Sequence, residues 1–116
     1  VNRLNLKERL NKGYVKFIYV CSPYRGDVVI NMNFAQECCR MIFKQHDVPI
    51  APHLYFPMFM NDNIKEVREF AFELNKRLID MCDYMIVFGL EVSEGMQMEI
   101  DYAHSIRKKV IKCAVL

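Results

Sequence analysis

The sequence predicts a single α/β domain in which a parallel sheet of four to five strands is covered by helices on both faces. Three observations carry this. Short apolar runs rich in β-formers recur at 16–22, 48–53, 84–89 and 109–116, each too short for a buried helix and bounded by turn residues. Between them lie segments whose apolar residues fall at three- and four-residue spacing, as on one face of an amphipathic helix. Strands alternating with helices in this way make right-handed βαβ units, and such units build parallel sheets buried on both sides.

The elements follow in order. RLNLKERLNK at 3–12 makes a short helix closed by Gly13, a residue suited to the left-handed turn past a helix end. Residues 1–15 thus form an N-terminal helical extension to a domain over 16–116. KFIYVCS at 16–22 is the first strand. Asn31 to Gln45 is a helix with Phe34, Cys38, Met41 and Ile42 inward. VPIAPH at 48–53 is the second strand, stopped by Pro52, and LYFPMFM at 54–60 is an aromatic, Met-rich loop. With Asp62 as its N-cap, a long helix follows whose inner face is Ile64, Val67, Phe70, Ala71, Leu74, Leu78 and Met81. YMIVFG at 84–89 is the third strand, Met96 to Lys108 a helix packing through Met96, Ile100, Ala103 and Ile106, and KVIKCAVL at 109–116 the last strand. The result is a Rossmann/flavodoxin-like three-layer sandwich without an internal repeat, low-complexity tract or linker.

Composition narrows the function classes. A chain of 116 residues, 53% apolar and 26% charged, builds one packed core and is too short for two domains. The net charge of +2 is too mild to argue for nucleic acid or a membrane surface as partner. No run approaches the roughly 18 apolar residues of a membrane span, and residues 1–15 are unlike a signal peptide. The five cysteines, at 21, 38, 39, 82 and 113, are odd in number and include no Cys-x-x-Cys pair. Neither a disulfide framework nor a metal site is expected of them, and the setting reads as a reducing cytoplasm.

Two stretches stand out, YVCSPYRGD at 19–27 and VFGLEVSEGMQMEI at 87–100. In each an apolar strand stops and small or polar residues lead into a helix. Ligands of open α/β sheets lie at such carboxyl ends of strands, near the switch in strand order. Free N–H groups and the helix dipole favour anions there. Arg25 adds a planar cation and Gly26 allows close approach of the backbone; equally, Arg25 could face water and Gly26 serve only the turn. In the second stretch Ser93 is placed as a helix cap and Gly95 keeps the approach open. Glu99 follows six residues after Ser93, where the dipole favours its charged form, and an ionised carboxylate in such a cleft can attack an anomeric carbon. The plain alternative is a cap and a solvated helical Glu.

IYVCSPYRG, followed downstream by CDYMIVFG, SEGMQMEIDYA and KKVI, resembles the nucleoside 2-deoxyribosyltransferase-like family over roughly residues 16–112. The likeness is closer to its members that hydrolyse the N-glycosidic bond of 2′-deoxynucleoside 5′-monophosphates, and extends to small bacterial and phage proteins carrying PHLYFP and SEGM. The family pattern is a Tyr in the first strand, an Arg-Gly turn, then Ser or Asp six residues ahead of a catalytic Glu with Gly between; Tyr19, Arg25-Gly26, Ser93, Gly95 and Glu99 match it.

The resemblance implies that Glu99 attacks the deoxyribose C1′ with Tyr19 steering its carboxylate, and that water or a second base then takes the sugar. Ser93, in place of the transferases' Asp, implies a 5′-phosphate, since a hydroxyl tolerates a dianion that a carboxylate repels. Ser22, Arg25 and Gly26 would complete the cradle, with Pro23, Tyr24, His53, Gly95 and Met96 around the substrate. No metal or organic cofactor is implied. The partners expected are a small nucleotide or nucleoside and further copies of the chain, as a homodimer or higher homo-oligomer. One departure matters: the hydrolases carry an Asp eight residues ahead of the position of Asp83, and this chain has Asn75 there. Asn donates no proton as an acid, which leaves Asp80 and His53 as the nearest candidates, His53 by its ordinary pKa range. The alternative reading is a nucleotide-binding module of the same fold, catalytically weak or inactive. The aromatic loop around Tyr55, Phe56 and Phe59 could stack on a base or form a dimer face.

Overall fold

The computed structural model describes residues 5–114. The chain runs α1 (Leu6–Asn11), β1 (Phe17–Cys21), α2 (Val28–Lys44), β2 (Val48–Ile50), two single 3₁₀ turns (Pro52–Leu54 and Phe56–Met58), α3 (Lys65–Met81), β3 (Tyr84–Phe88), α4 (Glu94–Ser105) and β4 (Val110–Cys113). The sheet is parallel throughout, with four strands in the order β2-β1-β3-β4. That is the flavodoxin-like order, and its switch point lies between β1 and β3. Residues 3–4 of the expected first helix and 115–116 of the expected last strand lie outside the described residues.

Two-residue alternation in β1 sorts its side chains into two cores. Ile18 and Val20 pack with Cys38 and Ile42 of α2 and with Phe88. Tyr19 and Cys21 point the other way, to Ile79, Met85, Val87, Met96, Ile100 and Ala103 on the α3–α4 side. These are the three layers of the sandwich. Each fully buried aliphatic chain here contributes about 1.5–3 kcal/mol relative to exposure. The start of β1 is anchored by two carboxylates: the Phe17 N–H donates to Asp83 at 2.7 Å and the Lys16 N–H to Asp47 at 3.0 Å.

Several expected boundaries move. α2 begins at Val28 rather than Asn31, because the Asp27 carboxylate accepts from the Ile30 N–H and caps the helix three residues earlier. β2 ends at Ile50, and Pro52 opens one 3₁₀ turn and Pro57 is the second residue of another, where a longer strand and an irregular loop were expected. α3 starts at Lys65, with Ile64 at the cap position in place of Asp62. Its inner face is Ala71, Asn75, Leu78 and Ile79, while Phe70, Leu74 and Met81, expected inside, are exposed. α4 begins at Glu94 with Ser93 as its cap, and Ile106, expected inside, is the exposed C-cap.

Candidate functional site

Glu99 sits in the second turn of α4 and turns toward the sheet. Its Oε2 accepts from the Tyr19 hydroxyl at 2.5 Å and from the Asn75 amide at 3.2 Å. Three elements meet there, since β1 supplies Tyr19, α3 supplies Asn75 and α4 the carboxylate. Burial pushes the Glu99 carboxyl up to about 7, against the lowering effect of hydrogen bonds from Tyr19, Cys21 and Asn75. The helix start does not keep this group fully ionised at neutral pH, as its position in the sequence suggests; loss of water outweighs the dipole. Tyr19 has no exposed surface, and burial, then the Glu99 charge, holds its hydroxyl well above the ordinary range. It is therefore a neutral donor that orients the carboxylate from behind. Asn75 Oδ1 is buried without a hydrogen-bond partner, an orphan acceptor of the kind that ordered water or a ligand donor satisfies.

A cleft of about 920 Å³ opens in front of Glu99, within the size range of small-molecule sites. Ser22, Tyr24, Arg25, His53, Asn75, Ser93, Gly95, Met96 and Glu99 all line it, so most of the residues named from sequence converge. Pro23 and Gly26 do not. Gly26 lines a neighbouring cavity of about 630 Å³, and its φ of +98° makes it the residue the turn requires. The Asn31 amide donates to the Tyr24 and Arg25 carbonyls at 3.1 and 2.8 Å, which holds that turn in shape. Gly95 leaves open space where a Cβ would stand, and the Met96 N–H donates to Ser93 Oγ at 3.2 Å. The Met96 side chain is buried, and its carbonyl accepts from Cys21 Sγ at 3.7 Å.

The two candidate proton donors fare differently. His53 Nε2 lies 2.7 Å from Ser22 Oγ, and burial lowers its pKa to about 4. The imidazole is neutral at neutral pH and forms a Ser–His pair in the cleft wall, in place of the acid its ordinary pKa suggests. Asp80 is absent from the cleft lining and accepts from the Tyr102 hydroxyl at 2.5 Å. Arg25 is not an open cation either, because its guanidinium pairs with Asp62 at 2.9 Å.

Sequence reasoning missed the α3 wall. Arg68, Phe72 and Asn75 line the cleft together, at the three- and four-residue spacing that puts side chains on one helix face. Counting back seven residues from Asn75 would have found Arg68. Phe56, Pro57 and Met60 of the 3₁₀ segment form the apolar part of the lining.

The structure is thus a parallel α/β sandwich with a carboxylate-floored cleft near the β1–β3 switch point, the place where open α/β sheets hold their ligands. Residues 16–113 match a domain of unknown function, DUF7768, and the chain belongs to that family. No curated protein matches it.

Proposed function

We propose that the protein cleaves or transfers at the N-glycosidic bond of a nucleoside 5′-monophosphate, with Glu99 as nucleophile. The observation that carries this is the Glu99 carboxyl itself, held by Tyr19 and Asn75 through one oxygen at the floor of a ligand-sized cleft. The other oxygen, Oε1, is then the attacking atom. As the Oε1–C1′ bond forms, the C1′–N bond breaks and its electron pair leaves with the base, and water or an acceptor base then displaces Glu99 from the sugar. The apolar Phe56–Met60 wall suits a base, and the hydroxyls of Ser22 and Ser93 suit a phosphate without repelling it. Family membership alone assigns no activity, so the reading stands on this geometry and on the resemblance of the motifs.

A second reading, a binding module, is favoured by one specific observation: neither Asn75, which bonds Glu99, nor His53 in the cleft wall supplies an acid at neutral pH, since one is an amide and the other is neutral. One experiment separates the two. The chain is incubated with each 2′-deoxynucleoside and ribonucleoside 5′-monophosphate, and free base is measured by chromatography. Release that disappears in Glu99→Gln supports the enzyme; calorimetric binding with no release from any nucleotide supports the module.

A further inference from the structure

Two arginines meet on one residue. Arg25 Nη2 donates to the Asp62 carboxylate at 2.9 Å and to the Asp62 carbonyl at 3.1 Å. Arg68 Nη1 donates to the same carbonyl at 3.3 Å and to that of Asn63 at 3.3 Å. Because both reach one oxygen, the two nitrogens lie within roughly 6 Å of each other, a spacing that hydrogen bonds to two oxygens of one phosphate can bridge. Among these partners the one carboxylate is held by Arg25, while Arg68 is held by two neutral carbonyls. Around them the cleft lining carries Lys65, which faces Glu69 at 3.9 Å, Glu73, which pairs with Lys76 at 2.9 Å, and the carboxylates of Glu94 and Glu99.

The placement matches a ligand site. Arg25 and Arg68 both line the 920 Å³ cleft, whereas Asp62 lines only the smaller cavity behind them. Arg68 lies two helical turns before Asn75 on the same face of α3, about 10 Å along the axis. This puts the arginine pair at the opposite end of the cleft from Glu99, with length for a sugar between them.

We propose that Arg25 and Arg68 form a two-guanidinium seat for a phosphate-class dianion, with the Asp62 carboxylate as an internal competitor that the ligand displaces. Displacement also removes one of the ties between the 51–63 segment and the turn after β1, the Ser22–His53 hydrogen bond being another. The seat rests on the nucleotide reading only in identifying the dianion as a 5′-phosphate.

The test is calorimetric titration of the whole chain with inorganic phosphate at low ionic strength. Asp62→Asn removes a competitor in an exposed ion pair, so phosphate should bind about two- to fivefold tighter. Arg25→Gln and Arg68→Gln should each weaken binding at least several-fold, and Arg68→Lys, which keeps the charge and loses the fork, should fall between wild type and Gln. Circular dichroism and thermal melting establish that each variant is folded. Phosphate that binds no tighter to Asp62→Asn, equally to all variants, or not at all overturns the seat. Failure of the two ideas is distinguishable: no base release with this phosphate pattern intact removes the glycosidase and keeps the seat, and base release with phosphate binding indifferent to Arg68 does the reverse.

Discussion

Glu99 and His53 occupy the same cleft, yet burial pushes their proton equilibria in opposite directions, to about 7 and about 4. For Glu99 the folded state holds a proton that the unfolded chain sheds near 4.5. Its contribution to stability is full below about pH 4.5 and is lost as pH rises through 7. For His53 the unfolded chain takes up a proton near 6.5 that the folded state refuses until about 4. Its contribution is present above 6.5 and is lost as pH falls. In the wild type the two slopes oppose one another between about pH 4.5 and 6.5. Glu99→Gln should unmask the His53 slope alone, so the stability of the variant relative to wild type should climb from pH 4.5 to about 7 and then level. The rise should be about 3 kcal/mol, read from urea unfolding at a series of pH values. A difference that is flat with pH would mean that the carboxyl titrates normally. The same equilibrium governs the proposed chemistry: base release should rise through pH 7 as the nucleophile ionises, and Tyr19→Phe, by removing a donor to the carboxylate, should move that limb to higher pH.

Single side chains also decide where the elements begin. Asp27 accepts from the Ile30 N–H at 3.1 Å and so starts α2 ahead of Val28, Val29 and Ile30, three β-branched residues that read locally as strand or loop. Asp27→Ala should cost about 1 kcal/mol, seen as a lower melting temperature, whereas Asp27→Asn should cost much less. No loss on Asp27→Ala would mean that the cap does not hold the first turn of α2. This boundary shows what was legible in the sequence. The strand–helix alternation and the parallel sheet follow from periodicity, which is strong in β1 and β3 because their residues are buried on both faces. The Ser93 cap was readable from the helix start it makes, whereas Gly95 and Glu99 joined it only through the resemblance of the motifs, since a helical Glu alone reads as solvated. The inner face of α3 was not. Hydrophobicity points to Phe70, Leu74 and Met81, but the helix turns the Arg68–Phe72–Asn75 row to the cleft and Ala71 and Ile79 to the core. A polar residue on an inward face reads as an error in an apolar pattern until the cleft it lines is seen. The Arg25–Asp62 pair was equally hidden, since it joins residues far apart in the chain that nothing in either segment connects.

At the scale of the whole molecule, the α3 stripe that the core does not use needs an account. Phe70 is 64% exposed and Met81 77%, with Leu74 at the edge between them. Together they run along the outer side of the helix whose other side lines the cleft. No helix among the described residues is long and apolar enough to cross a membrane, so a bilayer span does not explain the stripe. A second copy of the chain would cover it, because a two-fold axis would bring the same apolar row against itself and bury both at once. An expected homo-oligomer would then have a specific surface, the outer side of α3, facing away from the Arg68–Phe72–Asn75 row that lines the cleft. Sedimentation velocity should show concentration-dependent dimerisation of the wild type, and Phe70→Glu should shift it to monomer. Because Phe70 is exposed, its replacement leaves the core intact, and an unchanged melting temperature of the monomer would show that association alone was lost. A wild-type chain that stays monomeric at high micromolar concentration, or a Phe70→Glu variant that still dimerises, would place the contact elsewhere. Because that surface faces away from the cleft and the arginine seat is built from one chain, the monomeric variant should still bind inorganic phosphate at the arginine pair as tightly as wild type.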